Sequence, residues 1–288
     1  GWANGFRWKI DHWEIWNEPD GEAPPERNCM WQGTFGQYLD LYGTTVRHLK
    51  AKFPHLKIGG YGSCGFERIC SDWKPERANH HMKCFHDFLS YVKANDCAPD
   101  FFSFHCYGPW WKIEKQANYA RQELDKAGLK SVPIHLTEWL CAHGCGTARQ
   151  AALLADTLVR LQGSAVDLAH VYDARCGAGL YSPLFDPATW GPRKAYYGFK
   201  AFGELYARGQ ELETAFAGAG VSALGAADSS GRAAVVVVNA SDRAMPFEAD
   251  FGGHGVRTVR VTDETRDWCV VGRPRVLTPW SIWTFELD

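Results

Sequence analysis

The sequence predicts an α/β fold, a parallel sheet with crossover helices, followed by a small C-terminal antiparallel β-sandwich. Three observations carry this. Short apolar, strand-like runs alternate with helical patterns as far as about residue 207, and that alternation implies parallel strands joined by crossovers. From about residue 208 the helical period disappears, and short strand-like runs are separated by Gly, Asp, Ser and Pro. The chain of 288 residues is 45% hydrophobic and 22% charged, so it can bury a sizeable core. The length suits one medium domain plus a small one, here 1–207 and 208–288.

WEIWNEP (13–19) is a short apolar run that ends in polar residues and gives a strand at about 12–16. Thr34 can cap a helix over about 35–52, which Pro54 closes. LKIGG (56–60) reads as a buried strand, and the stretch CGFERICSDWKPERANHH after it is irregular. FHDFLSYVKAN (85–95) has helical period. DFFSFHCYG supplies the next strand, at about 100–105. QANYARQELDKAGL is helical, with Gly128 placed as a C′ residue. VPIHLTEW gives a strand at about 133–138, Thr147 opens the helix TARQAALLADTLVRLQG, and VDLAHVYDA gives a strand at about 167–172. A last helix, PRKAYYGFKAFGELYA, has Pro192 near its start. The later strands are AAVVVVNAS, MPFEADF, VRTVRVTDE, DWCVVG and SIWTFELD.

Composition excludes some classes. A formal net charge of -2 argues against a nucleic-acid-binding surface, which carries a basic excess. No apolar run has the length of a membrane span, and the first residues lack the pattern of a signal peptide. The first residue is not Met, so a processed or truncated N-terminus stays open. Several of the ten cysteines sit in apolar runs such as FSFHCYG and DWCVV, which fits buried free thiols in a reducing cytoplasm better than a disulfide framework. Cys84, Cys97, Cys106 and Cys269 are expected to be buried and reduced. The 13 Trp, 11 Tyr and 16 Phe are in the main core residues, although aromatic faces also stack on sugars.

Two glutamates stand out. Glu18 and Glu138 each end an apolar strand run, WEIWNE and PIHLTE, and in a (β/α)8 barrel the C-terminal strand ends hold the chemistry. A single Glu at a strand end would be a loop ion pair or a helix cap. Glycoside hydrolysis needs two carboxyl groups flanking the scissile bond, roughly 5 Å apart in a retaining enzyme. Asn17 can hydrogen-bond a sugar hydroxyl beside the acid. Pro19 disfavours the helical region at Glu18 and so predicts an extended strand end there. An acid must hold its proton near neutral pH, so a raised pKa is expected at Glu18.

The segment WEIWNEPDG through FPHLKIGGYG, with DFFSFHCYG and PIHLTEW, resembles glycoside hydrolase family 39, the β-xylosidase and α-L-iduronidase family of clan A, over roughly residues 8–205. The resemblance implies a (β/α)8 TIM barrel, retention of configuration, Glu18 as acid/base and Glu138 as nucleophile. It implies that Asn17 contacts substrate and that His105 and Tyr107 lie near the pair, Tyr107 placed to hydrogen-bond the nucleophile. Family members carry three further β/α units before WEIWNEP. A barrel lacking its first three units is therefore expected, an open five-stranded sheet with Trp13, Ile15 and Trp16 close to solvent at its edge. Such a chain is expected to be oligomeric or inactive by itself.

Trp110, in a loop after a strand, could form a sugar platform or pack in a core, and Tyr172, at the end of the last barrel strand, is a further candidate substrate contact. Cys141, His143 and Cys145 resemble a metal triplet, but their spacing matches no standard zinc pattern, and retaining glycosidases use neither metal nor cofactor. The expected activity is cleavage of terminal β-glycosides, most plausibly β-xylosides. The alternatives are another clan A specificity (arabinoside, galactoside or uronide) and a truncated, non-catalytic carbohydrate-binding fragment. The expected partner is a glycoside or oligosaccharide, with no nucleic acid and no membrane; a homo-oligomer and a cytoplasmic location are also expected.

Overall fold

Five strands, each followed by a helix, organise the first part of the chain, as the alternation predicts. A computed structural model describes residues 8–21, 27–70, 75–141, 144–174 and 184–288. The strands are β1 (His12–Glu14), β2 (Lys57–Ser63), β3 (Phe102–Tyr107), β4 (Ile134–Leu140) and β5 (Leu168–Val171). They form one parallel sheet in chain order, with β1 and β5 at its ends. The register sets His12 opposite Lys57 and Glu14 opposite Gly59, and the β2–β3 pairing shifts between Gly60 and Ser63. The helices are α1 (Phe35–Lys52), α2 (Pro75–Ala94), α3 (Trp110–Lys126), α4 (Ala148–Leu161) and α5 (Lys194–Arg208).

Local chemistry sets these boundaries. Thr34 caps α1 in a capping box: its hydroxyl accepts from the Gln37 N–H at 3.2 Å, and the Gln37 side chain accepts from the Thr34 N–H at 2.8 Å. Helix α2 starts ten residues before the expected start at 85 (85 − 75), because Pro75 suits a first helical turn, where its missing N–H leaves no bond unmade. Strand β1 ends at Glu14, earlier than expected, because Trp16 (φ 70°) and Glu18 (φ 46°) adopt left-handed backbone.

The chain forms two compact units. The first comprises Gly1–Cys106, Trp111–Trp139 and Ser164–His170; the second comprises Tyr107–Trp110, Leu140–Gly163 and Val171–Asp288. In the first, an aromatic core of Tyr38, Tyr42, Tyr61, Phe66, Phe85 and Phe102 is fully buried. The Tyr38 hydroxyl donates to the Ile15 carbonyl at 2.9 Å. Ile15 is accordingly buried, against the expectation that it would meet solvent, whereas Trp13 and Trp16 are 44% and 50% exposed as expected.

The second unit contains β6 (Gln210–Leu212), β7 (Val221–Ala227), β8 (Ala233–Asn239), β9 (Met245–Pro246), β10 (Val256–Thr262), β11 (Cys269–Val271), β12 (Val276–Leu277) and β13 (Ser281–Leu287). Six of them make an antiparallel sheet in the order β11-β10-β13-β8-β7-β6, and β9 pairs with β12 in a separate ribbon. One face of the sheet packs on α4 and α5, through Ala151, Ala155 and Leu205 against Val236, Val238 and Ile282. The other buries Val237, Val261 and Phe285 with Leu277 of the ribbon. Burial on both faces explains the unbroken apolar run AAVVVV in β8.

Among the described residues no disulfide joins any two of the nine cysteines. Cys84, Cys97 and Cys106 are buried as expected, but Cys269 is exposed, because β11 is the edge of its sheet. Cys176 lies outside the described residues. Among the described residues no helix is long and apolar enough to cross a membrane.

Candidate active site

In the first unit, β1, β3, β4 and the residues that flank them bring together three sets of side chains, one after another along the strands. The lowest set holds His12, Phe101 and His135. The His135 ring stacks on Phe101 at 4.4 Å and lies 5.8 Å from the His12 ring. Burial, helped by the charges of His12 and His170, pushes His135 down to about 4.

Two residues further along each strand come Glu14, Ser103 and Thr137. Glu14 Oε1 accepts hydrogen bonds from Ser103 Oγ at 2.9 Å and Thr137 Oγ1 at 3.3 Å. Ser103 Oγ in turn accepts from the Gly62 N–H at 3.0 Å. Burial raises the Glu14 pKa, against the opposing pull of His105 and of the two hydroxyls.

The uppermost set is Glu18, His105 and Glu138. His105 Nδ1 lies 2.8 Å from Glu18 Oε1 and 3.6 Å from Glu138 Oε2. One oxygen of each carboxylate and a ring nitrogen all fall within 4.8 Å of one another. His105 is buried, while the two carboxylates are about one-fifth exposed. Among the described residues this trio is the close group of carboxylate and imidazole atoms.

The loop that carries Glu18 is fastened to the end of β2. The Glu18 N–H donates to the Gly62 carbonyl at 3.0 Å. Fully buried Asp20 accepts from Ser63 Oγ at 2.7 Å and from the Cys64 N–H at 3.0 Å. These bonds hold Glu18 in left-handed backbone, φ 46°, rather than in the extended conformation that Pro19 predicts. Strain of this kind persists where the surroundings over-determine it.

Electrostatics reverse the expectation at Glu18. Burial pushes its pKa up, but the hydrogen bond and charge of His105, with help from Cys64 and His81, pull it below the ordinary carboxylate value. Burial alone would lower His105. The bond to Glu18 and the charges of Glu138, Glu18 and Glu14 outweigh it, and the His105 pKa is raised. Both shifts favour a proton on the imidazole over one on Glu18.

The structure thus brings together Glu18, His105 and Glu138, and Asn17 lies half-buried in the same loop as Glu18. Tyr107, Trp110 and Tyr172 belong to the second unit. There the Tyr107 and Tyr172 rings meet edge to face at 6.3 Å. Trp110 opens α3, and its ring carries the Arg160 guanidinium at 4.6 Å. Cys141 is buried and Cys145 half-buried; His143 lies outside the described residues. Sequence reasoning missed Glu14, Ser103, Thr137 and Asp20. The one available signal was Glu14 itself, an acidic residue within an apolar strand and on the same strand face as His12.

A carboxylate pair at the ends of parallel strands, with an imidazole between, is the equipment of a glycoside hydrolase built on an α/β barrel-type sheet. The sequence pattern of glycosyl hydrolases family 39 matches residues 5–160, more than half of the chain, and the chain belongs to that family. A β-xylosidase from Geobacillus stearothermophilus is 26% identical over 145 residues, which cover 44% of this chain and 25% of that protein. The chain thus matches only a quarter of the length of this curated relative. Among solved structures, a glucosidase from Croceicoccus marinus superposes with TM-score 0.74 at 21% identity, covering 100% of this chain and 70% of its own. A family 39 β-xylosidase from Caulobacter crescentus does so with TM-score 0.64 at 19% identity, covering 96% of this chain and 66% of its own.

Proposed function

We propose that this chain supplies the catalytic pair of a retaining β-glycosidase, with Glu18 as acid/base, Glu138 as nucleophile and terminal β-xylosides as substrates. The observation that carries the reading is that one oxygen of Glu18 and one of Glu138 lie within 4.8 Å of each other. An inverting enzyme needs roughly 6.5–9.5 Å to admit a water between them, whereas a retaining one uses about 5–5.5 Å. Glu138 attacks the anomeric carbon while Glu18 gives a proton to the departing oxygen. Water then enters, Glu18 takes its proton, and the glycosyl–Glu138 ester is hydrolysed.

The hydrogen bond at 2.8 Å between His105 and Glu18 accounts for the proton. An imidazolium beside a carboxylate and an imidazole beside a carboxylic acid hold the same number of protons. A bound sugar that excludes water disfavours the charged arrangement and returns the proton to Glu18. Asn17 is assigned to a sugar hydroxyl, and Tyr107, two residues beyond His105 on β3, to the nucleophile. Tyr172 and Trp110 are proposed as further sugar contacts, and residues 208–288 as a small β-sandwich with the β9–β12 ribbon as its second layer. The β-xylosidases among the relatives support the choice of xylosides, and the Croceicoccus glucosidase makes aryl β-glucosides the control.

The test uses the chain alone and the chain joined behind the first three β/α units of a family 39 β-xylosidase. Proton NMR of the first product released from an aryl β-xyloside should show the β anomer. With azide present, Glu18→Ala should yield the β-xylosyl azide and Glu138→Ala the α-xylosyl azide. An α anomer as the first product, or exchanged azide products, would overturn the mechanism or the role assignment.

A further inference from the structure

Next to the catalytic pair sits a third carboxyl that the double displacement leaves unused. Hydroxyls from two other strands converge on a single oxygen of Glu14, Ser103 from β3 and Thr137 from β4. Each donor is a close chain neighbour of a catalytic-site residue: Thr137 adjoins Glu138, and Ser103 is two residues before His105. The space is fitted to the carboxyl. A Cβ on Gly62 would lie 2.5 Å from Glu14 Oε1, and Gly62 has φ +61°, so residue 62 has to be glycine for Glu14 to sit there. Two hydroxyl donors on one oxygen suit an ionised carboxylate acceptor. A carboxylate with no role would be a costly occupant of a half-buried strand face, where an apolar side chain of similar volume packs as well.

We propose that Glu14 is a positioning residue: its carboxylate keeps the proton on His105, and its bonds to Ser103 and Thr137 hold the strands that present His105 and Glu138. The Cβ on Gly62 would also lie 3.6 Å from His105 Nε2, so Glu14 and His105 line the same small space; Glu18 from the loop after β1 lies 2.8 Å and Glu138 from β4 3.6 Å from His105 Nδ1. His81 from α2 and Cys64 after β2 act on Glu18, and Tyr38 from α1 feels the charges of Glu14 and Asp20. Three carboxylates thus act on one imidazole, and Glu14 is the member with no part in bond breaking. The consequence for rate rests on the glycosidase reading, but the charge balance does not.

The experiment follows the His105 ring by NMR of histidine-labelled full chain, its signal assigned by loss in His105→Gln. In Glu14→Gln the titration midpoint of His105 should fall by about one pH unit, the scale of a close charge partner. In the Ser103→Ala/Thr137→Val double variant it should fall by less, since the carboxylate stays but loses its anchors. In the version joined to the three β/α units, the alkaline limb of kcat/KM should move to lower pH in Glu14→Gln with KM little changed. An unmoved His105 midpoint in a folded Glu14→Gln protein would overturn the proposal. If that variant does not fold, an unmoved midpoint in the double variant does the same. Absence of any glycosidase activity in the unsubstituted protein would instead sink the catalytic reading and leave the NMR result to decide the role of Glu14.

Discussion

His135 makes the clearest prediction at the scale of single residues. Buried against Phe101 and facing His12 and His170, it takes a proton only near pH 4 in the folded chain. In the unfolded chain it does so near the ordinary value of about 6.5. As pH falls, the unfolded state therefore binds the proton first. The stability that neutral His135 contributes is complete above about pH 6.5 and is lost progressively towards pH 4. Urea unfolding should show a loss on the order of 2 kcal/mol between pH 7 and pH 5, because each tenfold difference in proton affinity between the two states is worth about 1.4 kcal/mol. His135→Phe should remove most of that loss. An unchanged pH dependence in this variant would place the titrating group elsewhere. The same scale shows where sequence reasoning stops. Glu18 and Glu138 are legible because each ends an apolar run. The low pKa of Glu18 is not, because His105 is 87 positions away along the chain. Glu14 stays hidden for the same reason: its donors lie 89 and 123 positions away, and pattern alone does not pair strands.

Among the elements, α1 is held at its start by one side chain. Thr34→Ala removes the acceptor for the Gln37 N–H and breaks the capping box, at a cost of about 1 kcal/mol. Thr34→Asn should restore most of the loss, and chemical denaturation of the three proteins checks both. Elements of this kind are legible because their signals are local: Thr34 and Pro54 bracket α1, and Thr147 caps α4. All five parallel strands lie where short apolar runs place them. What escapes is an element whose own composition is ambiguous. VSALGAA forms β7, although Ala and Gly favour no strand, because β8 on one side and β6 on the other supply its partners. The early start of α2 is hidden by its charged first turns, which carry no apolar period to read.

For the molecule as a whole, the path of the chain matters more than any boundary drawn along it. The chain passes from one compact unit to the other five times, after residues 106, 110, 139, 163 and 170. A cut between 207 and 208 would part α4 and α5 from the sheet face that they cover with Ala151, Ala155, Val159, Ala201 and Leu205. Residues 208–288 expressed by themselves should expose Leu224, Val236, Val238 and Ile282, bind a hydrophobic dye and melt without a cooperative transition. A sharp calorimetric transition in that piece would show that the strands need no helices. Family membership is legible at this scale, since the motifs around Glu18, His105 and Glu138 keep their order and lie within the matched span. The packing of α4 and α5 on the later sheet is not, because helical period reveals that a face is buried and not what buries it.

The place of β13 bears on how the protein is made. The last strand of the chain lies in the interior of its sheet, between β10 and β8, and pairs with both along nearly its whole length. These residues leave the ribosome after those of every other strand of the sheet. Until they emerge, β8 and β10 each have an open edge, the state most prone to joining a neighbouring nascent chain. Loss of Ser281–Leu287 would therefore divide the six-stranded sheet into two pieces, β11-β10 and β8-β7-β6.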